Sequence, residues 1–384
     1  MATHDQHATQ HQGVSEPGTR RIPVAYPDLQ GNEMQYVTDC IATGWVSSQG
    51  PYVKRFEDAF AEWAGVEHAV TCSNGTAALH LALVALGIGP GDEVIVPSMT
   101  YVASANAVAY VGADVVLVDS DPVSLNITAD AVAAAVTPRT KAVIPVDLYG
   151  MPVDIAALRA ALPEHVMIVE DAAEAIGARV RGTHVGGHSD LATFSFFGNK
   201  TLTTGEGGMV TCHTADMAAR VRLYRDQGQD PNRTYFHPVL GFNYRLTNLQ
   251  AAVGLAQMER IEHHLGERAR VSMRYANRLS DLDHVVHMPP VPGDHVHGHW
   301  MFTVVLRSTD AGMRDRIREQ LAIDGVETRP GFTPIHRLPM HANPGAFPTA
   351  DWIGDNSISL PTHGQLTDAD VDFVASRLRA ALRA

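Results

Sequence analysis

The stretch "FSFFGNKTLTTGEGG", Phe194–Gly208, opens as an apolar strand, places Lys200 at its end and closes in a loop of small residues. Lys200 is its one cation, set where an aromatic strand meets a glycine-rich turn. A lysine drawn out of water there loses proton affinity and becomes a usable amine, which is what a Schiff-base lysine requires. A lone lysine in a turn is more often a solvated surface group. The residues on either side decide between the two.

Upstream, short apolar runs alternate with apolar-faced helices. "HAVTCS", "DEVIVP", "DVVLVD", "KAVIPV" and "HVMIVED" read as strands. "TAALHLALVAL", "YVASANAVAYVG", "TADAVAAAV" (capped by Thr128) and "DIAALRAAL" read as the helices between them. That alternation predicts βαβ units, hence an α/β fold with a large, mainly parallel sheet and helices on both faces. "ATFSFF" and "GMVTC" extend the sheet, and Arg245–Leu265 reads as one long helix leading out of it. Past about residue 270 the texture changes to a proline- and histidine-bearing loop, a strand "WMFTVVLR" and amphipathic helices, as suits a smaller α+β unit. The expected division is a polar tail over 1–20, a large cofactor-binding domain over 21–265 and a small C-terminal domain over 266–384.

Composition narrows the function. With 384 residues, 45% hydrophobic and 18% charged, the chain is long enough for this two-part globular design. A formal charge of −13 argues against nucleic acid as a partner, so an anionic ligand needs a local basic pocket. Cys40, Cys72 and Cys212 are too scattered for a disulfide framework or a zinc or iron–sulfur centre. His295, His297 and His299 read as a solvated loop meeting a strand, and no metal is expected. With no apolar leader or membrane-length run, a cytoplasmic protein without a membrane partner is expected.

Which cofactor could such a sheet hold? "GIGPGD" follows a helix and is not a dinucleotide fingerprint, and "GNKT" lacks the core of a Walker loop. Instead, "CSNGTAALHLAL" puts Gly75 and Thr76 at a strand-to-helix turn, where free amides and the helix dipole favour a phosphate. "IVEDAAEAIGA" ends a strand on Glu170 and Asp171, and a carboxylate there points into the ligand crevice. A phosphate cradle, a strand-end carboxylate and a strand-end lysine together meet the demands of pyridoxal 5′-phosphate. The lysine bonds the aldehyde, and the acid keeps the pyridine nitrogen protonated.

The segments "GWVSSQGPYVKRFE", "SNGTAALHLAL", "GDEVIVPSMTYVAS", "VDLYGMPVD", "VEDAAEAIGA", "FSFFGNKTLTTGEGGMV", "GFNYRLTNLQAAVGLAQ" and "ETRPGFTPIH" carry a family resemblance spanning about residues 22–382. The chain resembles the DegT/DnrJ/EryC1/StrS sugar aminotransferases, of the aspartate-aminotransferase-like fold type I. The resemblance implies that Lys200 holds the cofactor and Asp171 pairs with its ring nitrogen. It further implies that Tyr101 stacks on the ring, that Gly75, Thr76 and Ser195 hold the phosphate, and that Glu174 lies near the ring hydroxyl. Asn243 would reach the phosphate of a neighbouring subunit's cofactor, making a homodimer with shared active sites. Family dehydratases carry histidine in place of this lysine, so Lys200 points to transamination.

The activity implied is amino transfer from L-glutamate, leaving 2-oxoglutarate, to a nucleotide-linked keto-6-deoxyhexose. Lys200, once freed, would shuttle the proton as general base and acid. The first expectation is GDP-4-keto-6-deoxymannose going to GDP-perosamine, or a close 3-amino counterpart. A dTDP-ketohexose is the alternative substrate, and a cofactor-binding sensor without turnover is the alternative class. Candidate contacts to the substrate are Trp45 and Ser47 in "GWVSSQGP", together with Arg225, Arg233, Arg245 and Arg329, which bring cations to the diphosphate or the donor carboxylate.

Overall fold

The computed structural model describes residues 20–383. Helices α1 (Glu33–Thr43) and α2 (Pro51–Ala64) precede the predicted alternation. The alternation itself folds as β1 (His68–Cys72), α3 (Gly75–Leu86), β2 (Glu93–Pro97), α4 (Ala103–Tyr110), β3 (Asp114–Val118), α5 (Ala129–Ala135), β4 (Thr140–Val143), α6 (Ile155–Ala161) and β5 (Met167–Asp171). Strands β6 (Leu191–Ser195) and β7 (Gly208–Cys212) complete a seven-stranded sheet of order β1-β7-β6-β5-β4-β2-β3. Its pairs are parallel except where β7 runs against β1 and β6.

Every position of β2, β6 and β7 is buried, as a continuous apolar strand covered on both faces must be. On one face, Phe56 and Phe60 of α2 meet Phe196 and Phe194, with Phe60 and Phe194 ring centroids 4.9 Å apart. On the other, Leu79, Leu81 and Leu83 of α3 pack over Val94, Val96 and Val210. Alternate side chains of β6 thus anchor its end firmly just where Lys200 follows.

One expectation needs correcting. Arg245–Leu265 is not a single helix: α7 (Ala215–Arg225) is followed by α8 (Asn248–Met258) and a separate α9 (Ile261–Leu279). The side chain of Thr247 caps α8 by accepting from the Gln250 amide, so Arg245 and Leu246 lie outside it. Between the two helices Arg260 leaves helical geometry (φ −117, ψ 18), and its guanidinium grips both oxygens of Asp28 at 3.0 and 3.1 Å. Apolar periodicity runs across this joint; a tertiary ion pair marks it.

The second sheet contains β8 (Val286–His287), β9 (Phe302–Leu306), β10 (Arg329–Pro330) and β11 (Ser357–Leu360), in the antiparallel order β8-β9-β11-β10. Helices α9, α10 (Met313–Ile323) and α12 (Asp368–Ala381) bury Val271, Tyr275, Ile317, Val371 and Leu378 against it. α11 (Pro348–Asn356) is held by Asp119, which accepts from the amides of Thr349 (3.0 Å) and Ala350 (2.8 Å). These contacts bring Arg329 and Phe332 over the carboxyl ends of β5 and β6. Among the described residues, no helix is long and apolar enough to cross a membrane.

Candidate active site

The site begins where β1 turns into α3. Asn74 caps the helix, its Oδ1 accepting from Ala77 N at 2.8 Å. The amides of Gly75 and Thr76 are left with no acceptor among the described residues. β7 lies so close that a Cβ on Gly208 would sit 2.4 Å from the Asn74 carbonyl. A Cβ on Gly75 would meet Ser195 Cβ at 2.9 Å, so Gly75 lets the strand bearing Ser195 approach the helix end. The result is a nest of amides and a hydroxyl at the positive end of α3.

Asp171 ends β5, facing this nest across one cavity of about 600 Å³. Its Oδ2 accepts from Ser104 Oγ at 2.8 Å and its Oδ1 from Ala173 N at 3.2 Å. Burial pushes the Asp171 carboxyl up, while the Ser104 and Ala173 donors and the Lys200 charge pull it back. Behind it, Asp147 and Glu170 are both buried. Asp147 Oδ2 finds no donor, and burial drives Asp147 well above the usual carboxylate range and Glu170 up to about 7.

Lys200 stands on a turn closed by its own amide, which donates to Phe197 O at 2.9 Å. Arg268 grips that turn from behind. It donates to Lys200 O (3.2 Å) and to the carbonyls of Trp300 and Thr362 (both 2.9 Å). The indole N–H of Trp300 donates to Asn199 O at 3.1 Å, and the Trp300 ring lies 3.7 Å from Lys200 Nζ. Across from it, Glu174 Oε1 is 4.0 Å from Nζ. Burial lowers the proton affinity of the Lys200 amine; Glu174 and Asp171 oppose that, and Arg268 and Arg329 add to it. Glu174 is itself pushed up to about 7 by burial, against the pull of Lys200 and the Tyr149 N–H.

A buried amine, a strand-end acid and a phosphate-sized amide nest on one cavity mark a group-transfer enzyme. Residues 27–379 match the model of the DegT/DnrJ/EryC1/StrS aminotransferase family. The chain belongs to that family. It is 51% identical to GDP-perosamine synthase of Caulobacter vibrioides over 94% of this chain and 98% of that one. To the Escherichia coli O157:H7 protein of the same name it is 40% identical, over 93% and 97%. It superposes on the putative sugar aminotransferase Spr1654 of Streptococcus pneumoniae, solved in PMP and PLP forms, with a TM-score of 0.90 at 27% identity, covering 94% of this chain and 99% of that one.

This aminotransferase is pyridoxal-phosphate dependent, and its pocket fits the cofactor. Two unpaired amides and Ser195 match a phosphate, a buried carboxylate held by two donors matches a protonated pyridine nitrogen, and a desolvated amine matches an aldehyde. Lys200, Asp171, Glu174, Gly75, Thr76, Tyr101, Ser195 and Arg329 all line the one cavity. The ring of Tyr101, half exposed, stands 5.6 Å from that of Phe332 on its wall.

Trp45, Ser47, Asn243 and Arg245 lie outside the cavity wall. The Trp45 carbonyl is taken by Asn248 Nδ2 (2.7 Å) and the Ser47 carbonyl by Asn248 N (2.8 Å). Arg245 is paired with Asp226, and Arg225 with Glu57 at 3.1 Å. Asn243 is exposed. The sequence reading missed Ser104, Tyr149, Arg268, Trp300 and Phe332. Arg268 did leave a signal, because Ile261, His264, Arg268, Val271 and Tyr275 share one buried stripe of α9.

Proposed function

We propose that this aminotransferase moves an amino group from L-glutamate to a GDP-linked keto-6-deoxyhexose, giving GDP-perosamine from the 4-keto sugar or a close 3-amino counterpart from a 3-keto sugar. The convergence of Lys200, Asp171 and the Gly75–Thr76 nest on one cavity carries the chemistry of the reading. Two relatives named GDP-perosamine synthase, at 51% and 40% identity over nearly the whole chain, support the substrate. Pyridoxal phosphate, when bound, supplies the electron-accepting ring that lets an α-proton leave. Lys200 would hold the aldehyde carbon and, once displaced, carry that proton between donor carbon and cofactor carbon. Asp171 would keep the ring nitrogen charged, with Ser104 fixing its orientation. Gly75, Thr76 and Ser195 would take the phosphate, and Tyr101 would cover the ring. Arg329 brings a cation to the cavity for the donor carboxylate or the sugar diphosphate.

Fold type I and a homodimer with shared sites belong to the same proposal. An exposed Asn243, and Trp45, Ser47 and Arg245 set outside this subunit's cavity, suit residues that serve a partner's site. The division proposed at about residue 265 belongs to the same reading; it falls in the first turns of α9, and Ile22 crosses it to pack in the second core. All three cysteines are free thiols, which suits a cytoplasmic setting.

The deciding experiment offers a panel of GDP- and dTDP-linked ketosugars to the pyridoxamine form and reads products by mass spectrometry and NMR. A GDP-4-amino-4,6-dideoxyhexose is the expected product. Amination of dTDP sugars alone would overturn the substrate, and a coloured protein inert to every amino donor would overturn the enzyme reading.

A further inference from the structure

The Lys200 amine has two close neighbours of opposite character. One is the face of Trp300 at 3.7 Å; the other is the Glu174 carboxylate at 4.0 Å. Glu174 is held in place from the main chain. Its Oε2 accepts from Tyr149 N at 2.7 Å, and Tyr149 adopts φ 57, a left-handed conformation costly for a residue with a Cβ. The strained turn aims an amide at one carboxylate oxygen and leaves the other facing the lysine. Both side chains are nearly out of solvent, at 11% exposure for Lys200 and 5% for Glu174.

We propose that Glu174 is the proton partner of Lys200, taking a proton from Nζ onto Oε1 when the amine must be neutral and returning it when the amine must act as an acid. This rests on the aminotransferase reading above and adds to it. The exchange is a balanced proton transfer: the Nζ–H bond breaks, an Oε1–H bond forms, and an ammonium–carboxylate pair becomes an amine and a carboxylic acid. Bringing the two atoms from 4.0 Å to hydrogen-bonding distance requires a displacement of about 1 Å. The surrounding charges keep the two states close in energy. Asp171 pushes Glu174 towards its acid form, and the Lys200 charge pulls it the other way. Arg268 and Arg329 favour neutral Lys200, whereas Glu174 and Asp171 favour its ammonium. Asp147 and Glu170, behind Asp171, face each other rather than the lysine. A glutamine at 174 would keep an oxygen for the Tyr149 amide but could neither take the proton nor carry the charge.

The test compares wild type, Glu174→Gln and Glu174→Asp as full-length protein stripped of cofactor. Lys200 is reductively methylated with formaldehyde and cyanoborohydride across a pH series, and its modification is read by peptide mass spectrometry. Removing an anion beside the ammonium should move the half-maximal pH of Lys200 labelling down by about one unit or more in Glu174→Gln. Glu174→Asp, which retains the charge, should stay nearer wild type. In the holoenzyme, single-turnover reaction with glutamate should lose its pH-dependent limb near neutrality in Glu174→Gln while KM for glutamate stays within about twofold. An unchanged labelling profile, or an unchanged pH limb, would overturn the proposal. Borohydride fixation of the cofactor onto Lys200 in wild type separates the two levels: its failure sinks the aminotransferase reading, whereas its success with flat pH profiles sinks only the role of Glu174.

Discussion

Two groups of charges in this molecule are built on opposite terms. Between α9 and α12, Arg274 grips Asp372 with two 2.7 Å bonds, Arg278 adds bonds of 2.8 and 2.6 Å, and Arg270 and Arg274 share Asp368 at 2.6 and 2.7 Å. Every cation there has an anion, and water screens them all. In and behind the pocket the reverse holds. Arg268 is buried with only carbonyls for partners, Asp147 faces Glu170, and Lys200 stands 4.0 Å from its nearest acid. Well-satisfied surface pairs barely affect stability or chemistry. Poorly compensated buried charges are where proton affinities move, and chemistry needs that movement.

The sharpest way to break this contrast is Lys200→Ala. Amino transfer should fall by about 10⁴-fold or more, measured as single turnovers with glutamate, with the far-ultraviolet circular dichroism unchanged. Asp171→Asn comes next. Ser104 can still donate to the amide oxygen, so the fold should survive, but loss of the charge proposed to pair with the ring nitrogen should lower kcat by roughly 10²–10³-fold.

The third prediction concerns the buried acid pair. Glu170 has its folded pKa raised from 4.5 to about 7, so the folded state holds a proton that the unfolded chain has lost. Stability is therefore fully present below about pH 4.5 and declines as pH rises through about 7, by on the order of 2–3 kcal/mol. Urea titrations from pH 5 to 8 should show that decline in wild type. It should lessen in Asp147→Asn, which removes the second buried acid whose proton affinity burial raises. The smallest effect belongs to the surface. Asp372→Ala should cost at most about 1 kcal/mol, a shift in Tm of a few degrees, and leave kcat unchanged. Arg274 and Arg278 hold Asp372 well below the usual carboxylate range. Its contribution is thus present at neutral pH and vanishes only as pH falls through that lowered value in strong acid.

Much of the fold was legible because strands covered on both faces must be written as unbroken apolar runs, and β2, β6 and β7 are. Asp171 was legible because a polar residue ending such a run has only the crevice to enter, and Lys200 because it is the one cation in the turn that follows β6. The partners that tune them were not. Ser104 meets Asp171 across 67 residues, and Arg268 reaches Lys200 across 68, by contacts that no local period encodes. Tyr149 was hidden more deeply, because its backbone amide, not its side chain, contacts Glu174. The break at Arg260 escaped for a related reason: the apolar stripe continues past it, and the ion pair to Asp28 lies 232 residues away in sequence.

The nest at the head of α3 has a consequence for how this enzyme can vary. Its amide donors at Gly75 and Thr76 are written in the peptide chain, so among side-chain exchanges only proline can delete them. Such a cradle is damaged by bulk rather than by chemistry: a single methyl at Gly75, 2.9 Å from Ser195 Cβ, would pry helix and strand apart. Arg329 and Phe332, which line the same cavity through their side chains, carry no such protection against exchange.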